Sequence, residues 1–173
     1  MVSIRSIFQG LFLLMFCLAS AQDLKTLKVE DVSIEYPPRW EVDTSGFINS
    51  KFIIRAPADS KNDRLKEYVM FNKSNLKKNG MNMDLEQFHQ RNKFAHTKND
   101  LIGSFDEHSG MKGNHPFKAL NFNTSIGGLK VNVHKKYFVI NGIAYILVFM
   151  GETSKMGEYY DIKNQIISSF KIE

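Results

Sequence analysis

"FVINGIAYILVFM", residues 138–150, holds two signals that together decide the architecture. Asn141–Gly142 is the dipeptide of a two-residue hairpin loop, whose central positions both need φ > 0. Such a loop sets Ile140 opposite Ile143, Val139 opposite Ala144 and Phe138 opposite Tyr145. The strand that follows, "IAYILVFM", is apolar at odd and even positions alike, so neither face can meet water. It must run inside a sheet with further layers packed above and below it.

Outward from this hairpin the pattern stays antiparallel. "FKALNFNTSI" (117–126) and "LKVNVHKKYFVI" (129–140) are strands joined by Gly127–Gly128. Two consecutive long hairpins argue against a parallel nucleotide-binding sheet, which needs crossover helices. Toward the C-terminus, Tyr159, Ile162, Ile166 and Phe170 step by three, four and four, predicting a helix with one buried face over "EYYDIKNQIISSF". Toward the N-terminus, "KFIIRA" (51–56) and "EYVMFNK" (67–73) are strands separated by the polar run "ADSKNDR". Asp84 and Gln87 have capping-box spacing and open a helix near 84–96, with Leu85, Phe88 and Ala95 on one face and Phe94 off it. "LIGSFDEH" (101–108) reads as a strand and "SGMKGNHP" (109–116) as a turn-rich loop.

In "DVSIEYPPRWEV" (31–42), Val32, Ile34 and Tyr36 alternate with polar residues until Pro37 and Pro38 halt the ladder. Trp40 then folds back as a core plug beside Tyr36, behind a rigid corner. The predicted class is therefore α+β: an α/β/α sandwich with a central, mainly antiparallel sheet of about six strands covered by helices.

Residues 1–21 carry the marks of a secretory signal peptide: Arg5, the apolar run "IFQGLFLLMFCLA", and small residues at Ala19–Ala21. The run falls short of the ~20 residues of a membrane span, so no stable membrane insertion is expected after its removal. Cys17 raises a lipoprotein cut, but Phe16 does not suit the small-residue pocket such cleavage needs, and a soluble product starting at Gln22 is favoured. Cys17 is the only cysteine, so a mature chain without it has no disulfide, thiolate zinc site or cysteine nucleophile. The expected location is secreted or periplasmic, with residues 22–173 forming a single domain held by burial alone.

The chain carries 23 Lys and Arg against 18 Asp and Glu, a net +5. Loss of Arg5 leaves +4, spread over scattered lysines, which reads as solvated surface. No nucleic-acid partner is expected.

"VSIEYPPRW", "DLEQF", "VINGIAYILVF" and "QIISSFKI", in this order and spacing, resemble the PsbP-like domains over roughly residues 27–173. That fold occurs in the extrinsic PsbP subunit of photosystem II, in a nuclear Ran-GTPase-binding protein and in small exported bacterial proteins. The resemblance implies a non-enzymatic accessory that docks on a protein assembly, with no shared catalytic residues to carry over. The leader argues against a nuclear role, and nothing in the chain marks a photosynthetic host.

The residues themselves add little catalytic chemistry. There is no G-x-S-x-G elbow, H-E-x-x-H helix or P-loop. No enzyme is expected, the alternative being a site assembled from residues far apart in sequence. His89 and His96, seven apart on one helix, are ~10.5 Å apart along its axis. They cannot share one ion and are expected at the surface. Asp106, Glu107, His108 and His115, around Gly110 and Gly113, are the candidate ligands for a divalent metal such as zinc or manganese. Their spacing matches no established motif, and an exposed polar loop accounts for them equally. No cofactor is otherwise implied. The alternative to a docking module is thus a metal- or small-ligand-binding periplasmic protein using the 106–115 loop. As docking surfaces, the polar loops 57–66 and 106–116 are expected, since sheet and helices are committed to the core.

Overall fold

The computed structural model describes residues 23–61, 63–97 and 104–173. The signal-peptide assignment and residues 101–103 of the strand expected at 101–108 lie outside these. Among the described residues ten strands are present: β1 (Lys25–Val29), β2 (Val32–Tyr36), β3 (Glu41–Asp43), β4 (Phe52–Arg55), β5 (Tyr68–Asn75), β6 (Asp106–Lys112), β7 (His115–Ile126), β8 (Leu129–Ile140), β9 (Ile143–Glu152) and β10 (Lys171–Ile172). The α-helices among the described residues are α1 (Leu85–Thr97) and α2 (Met156–Ser169).

The class is α+β, and the central sheet has seven strands rather than about six, in the order β3-β4-β5-β9-β8-β7-β6. Every pairing is antiparallel. The strand expected at 101–108 begins only at Asp106, and the stretch expected as a loop at 109–112 continues its ladder to Lys112 opposite His115. Gly110 permits this: a Cβ there would stand 3.0 Å from the Phe117 ring, so the ring lies over bare backbone. The turn shrinks to Gly113–Asn114, with Gly113 at φ 58°.

The 141–142 hairpin forms as read. Asn141 and Gly142 have φ 53° and 81°, and Ile140, Val139 and Phe138 pair with Ile143, Ala144 and Tyr145. Strand β9 is covered on both sides. Tyr145, Leu147 and Phe149 join Phe52, Phe71, Phe138, Ile166 and Phe170 in one core. Ala144 and Val148 join Leu120, Phe122, Tyr137 and Phe88 of α1 in the other. The two helices therefore pack on opposite faces of the sheet.

The sandwich carries one element the hydrophobic pattern did not announce. β1, β2 and β10 make a separate three-stranded sheet on the side of α2, adding Val32 and Ile34 to that core. The tight β1–β2 turn is tied to the main sheet through Asp31, which accepts from Lys73 Nζ (2.7 Å) and from the Tyr145 hydroxyl (2.6 Å). Helix α2 ends at Ser169, one residue short of the expected Phe170, which remains buried.

The capping box at α1 is complete: Gln87 N–H donates to Asp84 Oδ1 (2.8 Å) and Asp84 N–H to Gln87 Oε1 (3.1 Å). Its inward face differs from the apolar one expected. Phe88 and His89 are buried while Ala95 is exposed, so the helix seats partly through polar side chains. Among the described residues no helix is long and apolar enough to cross a membrane.

Candidate functional site

The four candidate metal ligands are divided by the pleat of β6. Side chains alternate along a strand, so Asp106 and His108 face the side of α2 and Glu107 the side of α1. Asp106 Oδ2 and His108 Nε2 are 3.1 Å apart, both exposed. Glu107 accepts from Lys93 Nζ (2.5 Å) and lies 2.8 Å from His89 Nε2. His115 stands opposite Lys112, four residues beyond His108, so ~13 Å of strand separates the two imidazoles. Among the described residues no three His, Cys, Asp or Glu side chains converge as a metal set.

The helix histidines are not at the surface. His89 is 2% exposed against Glu107, whose carboxyl is held below its usual range by the Lys93 ammonium and then by His89. His96 is half-buried, its Nε2 2.7 Å from Lys135 Nζ. Burial presses the Lys135 ammonium down to about 8 and lowers the His96 imidazole. These contacts dock α1 on the sheet, and their interior placement argues for packing.

The 57–66 loop is fastened rather than free. Lys155 Nζ bridges Asp59 (2.7 Å) and Asp63 (2.9 Å). Behind them Glu67 is fully buried; its Oε1 accepts from Glu152 N–H at 3.2 Å and burial raises its carboxyl. Gly151 leaves room for it, since a Cβ there would stand 2.7 Å from Glu67 Cγ. The Tyr159 hydroxyl donates to Asp59 (3.3 Å), and the Tyr159 ring meets Trp40 edge-on at 6.1 Å. Trp40 is 8% exposed, the expected core plug, with Tyr159 as its ring partner and Tyr36 on the same core. Trp40 N–H donates to Pro37 C=O (3.0 Å), closing the proline corner. Beside it opens a cavity of about 620 Å³ lined by Pro38, Arg39, Trp40, Pro57, Glu158 and Ile162, among others.

A surface outside both expected loops stands out at residues 46–50, between β3 and β4. Phe47 is 57% and Ile48 67% exposed. Ile48 has φ 55° and Asn49 φ 59°. The left-handed region costs an L-residue roughly 1–2 kcal/mol, and a β-branched residue there is an outlier. Four short bonds hold the conformation: Asn49 N–H to Gly46 C=O (3.0 Å), Ser50 N–H and Ser50 hydroxyl to Phe47 C=O (3.1 and 2.6 Å), and Ser45 N–H to Asp43 Oδ1 (2.9 Å). Below the tip lies a recess of about 130 Å³ against Ile53, Tyr68 and Met70. Flanking charges are matched, Arg55 with Asp43 (3.0 Å), Lys51 with Glu30 (2.6 Å) and Lys66 with Glu41 (3.5 Å).

Sequence reading passed over this tip because an apolar pair between strands looks like more core. The signal available was Gly46 before it and Asn49–Ser50 after it, turn formers that enclose Phe47–Ile48 in a loop too short to reach inward.

No protein-family model matches the chain, and no curated protein matches it. Solved structures do match in fold. The cyanobacterial PsbP, CyanoP, of Synechocystis sp. PCC 6803 superposes with a TM-score of 0.62 at 10% identity, over 90% of this chain and 95% of its own. LpqN of Mycobacterium tuberculosis, involved in cell envelope biogenesis, gives 0.56 at 15% identity, over 91% and 94%. A Pseudomonas aeruginosa protein of unknown function, described as a putative regulator, gives 0.54 at 9%, over 84% and 94%. The chain has a PsbP-like fold.

Proposed function

We propose that the chain is an exported, non-enzymatic PsbP-like accessory module that docks on a protein assembly, and that it does so without a cofactor. The observation that carries this reading is the Phe47–Ile48 tip: two large apolar side chains presented to solvent on a backbone with left-handed φ at Ile48 and Asn49. Residues in sparsely populated backbone regions cluster at ligand clamps and contact sites. Exposed apolar side chains beside an apolar recess are the raw material of an interface. The matched rim charges favour a protein surface over an anionic bilayer, which draws on unpaired Lys and Arg. Export is supported by the leader-like residues 1–21, and an envelope setting by the likeness to LpqN.

The docking surface in this reading is not the loops 57–66 and 106–116. The first is pinned by Lys155 and the second is largely strand. The test is mild cross-linking of the native protein in its envelope, with mass spectrometry of the adducts, for the unaltered chain, for Phe47→Asp and for Met111→Asp. A discrete partner kept by Met111→Asp and lost by Phe47→Asp is expected. A partner insensitive to Phe47→Asp removes the tip from the account, and substrate turnover by the purified chain removes the non-enzymatic reading.

A further inference from the structure

On the side of α2, the sheet changes character between β8 and its β6 edge. Phe138 and Phe149 give way to asparagine, aspartate and histidine. The register puts these in rows: Asp106 opposite Asn121 and Asn121 opposite His134, with Asn123 opposite Asn132 in the next row on that face. Asparagine is depleted in strands because its amide competes with the ladder. Three of them on one face of two adjacent strands call for a reason beyond folding.

The rows border a cavity of about 240 Å³ whose polar lining is Ser104, Asp106, Asn121, Asn123 and Asn132. Two features mark it as built. Asn132 is 9% exposed and its Nδ2 donates to Asn123 Oδ1 at 3.0 Å, so one amide is locked and orients the next. Asn121 Oδ1 is buried without any protein donor. Leaving an acceptor unsatisfied costs ~1–3 kcal/mol, which a ligand hydroxyl placed there would recover.

The geometry points to a binding site for one small, neutral, hydroxyl-rich molecule, a single sugar ring, held by Asn121, Asn123, Asn132 and Asp106. Primary amides offer donors and acceptors together, matching hydroxyls that do both. Asp106 adds an acceptor at the rim, its Oδ2 3.1 Å from His108 Nε2. The volume lies below the ~300–1,000 Å³ of drug-sized pockets, so one ring fits and a chain of them does not. One neighbour agrees with a neutral guest. Burial, then the nearby Lys163, Lys136 and His108, keeps the His134 imidazole down at about 4, so it is uncharged at neutral pH. No metal set converges among the described residues. This inference does not rest on the docking reading, since the Phe47 tip projects from the opposite end of the strand order.

The test is nitrogen-edited proton NMR of the purified protein titrated separately with glucose, galactose, mannose and N-acetylglucosamine. At least one should shift the side-chain amide signals of Asn121, Asn123 and Asn132 saturably, with a millimolar Kd. Asn121→Leu should weaken that binding at least about tenfold, a change of ~1.4 kcal/mol. Asn123→Ala, at an exposed position, serves if Asn121→Leu does not fold. If none of the four sugars moves these amides, the cavity holds only water and the inference falls. It falls equally if the shifts persist undiminished in the variants.

Discussion

Ile48 is where local cost and surface exposure meet. Its left-handed backbone would suit glycine, and its side chain contributes little burial in return. Ile48→Gly should therefore raise stability by ~0.5–1 kcal/mol in urea unfolding, the left-handed cost recovered less the entropy that glycine adds to the unfolded chain. The same substitution should weaken partner capture. A loss of more than ~1 kcal/mol would mean that Ile48 holds the fold, and the functional reading of its strain would fail. Trp40 is the contrasting case. Both are large apolar residues near turns, but Trp40 is walled in by Tyr159 and the proline corner, and its exposure of 8% follows from that corner.

At the scale of elements, β8 carries a titratable group that the fold keeps uncharged. The His134 pKa lies at about 4 in the folded state against 6.5 when free. Between those values the unfolded chain binds a proton that the folded chain does not, so stability rises with pH through this window. The penalty is fully present below about pH 4 and absent above 6.5. The difference corresponds to roughly 3 kcal/mol. His134→Gln should flatten the fall in stability between pH 6.5 and 4, measured by urea midpoints. An unchanged slope would place the acid sensitivity in the carboxylates instead, such as Glu107, whose lowered pKa acts in the same direction but at lower pH. Elements were also where sequence reading was strongest and where it failed for identifiable reasons. Asn141–Gly142 specified its turn and register outright, because two positive φ values leave one common loop. The continuation of β6 beyond His108 was hidden because Ser109 and Gly110 are turn formers by propensity. The Phe117 ring over Gly110 overrides that preference, and cross-strand contact cannot be read along the chain. His89 looked solvent-facing since its partner Glu107 lies eighteen residues away.

For the whole molecule, the hairpins and the α2 stripe were enough to anticipate an antiparallel sheet with helices on both faces, and the PsbP-like likeness agrees with it. Site chemistry was less legible. The candidates Asp106, Glu107, His108 and His115 were grouped by closeness in sequence, yet a strand's alternation separates precisely such neighbours. What gathers beside Asp106 comes from β7 and β8, fifteen or more residues away. At this scale the molecule is a sheet offering an apolar tip near one edge and a polar cavity near the other. The most direct test of docking through the tip places a photo-reactive phenylalanine analogue at position 47, 61 or 111 in the native envelope. The account predicts one discrete protein adduct from position 47 and none from 61 or 111. Adducts from 61 or 111 with none from 47 would contradict it.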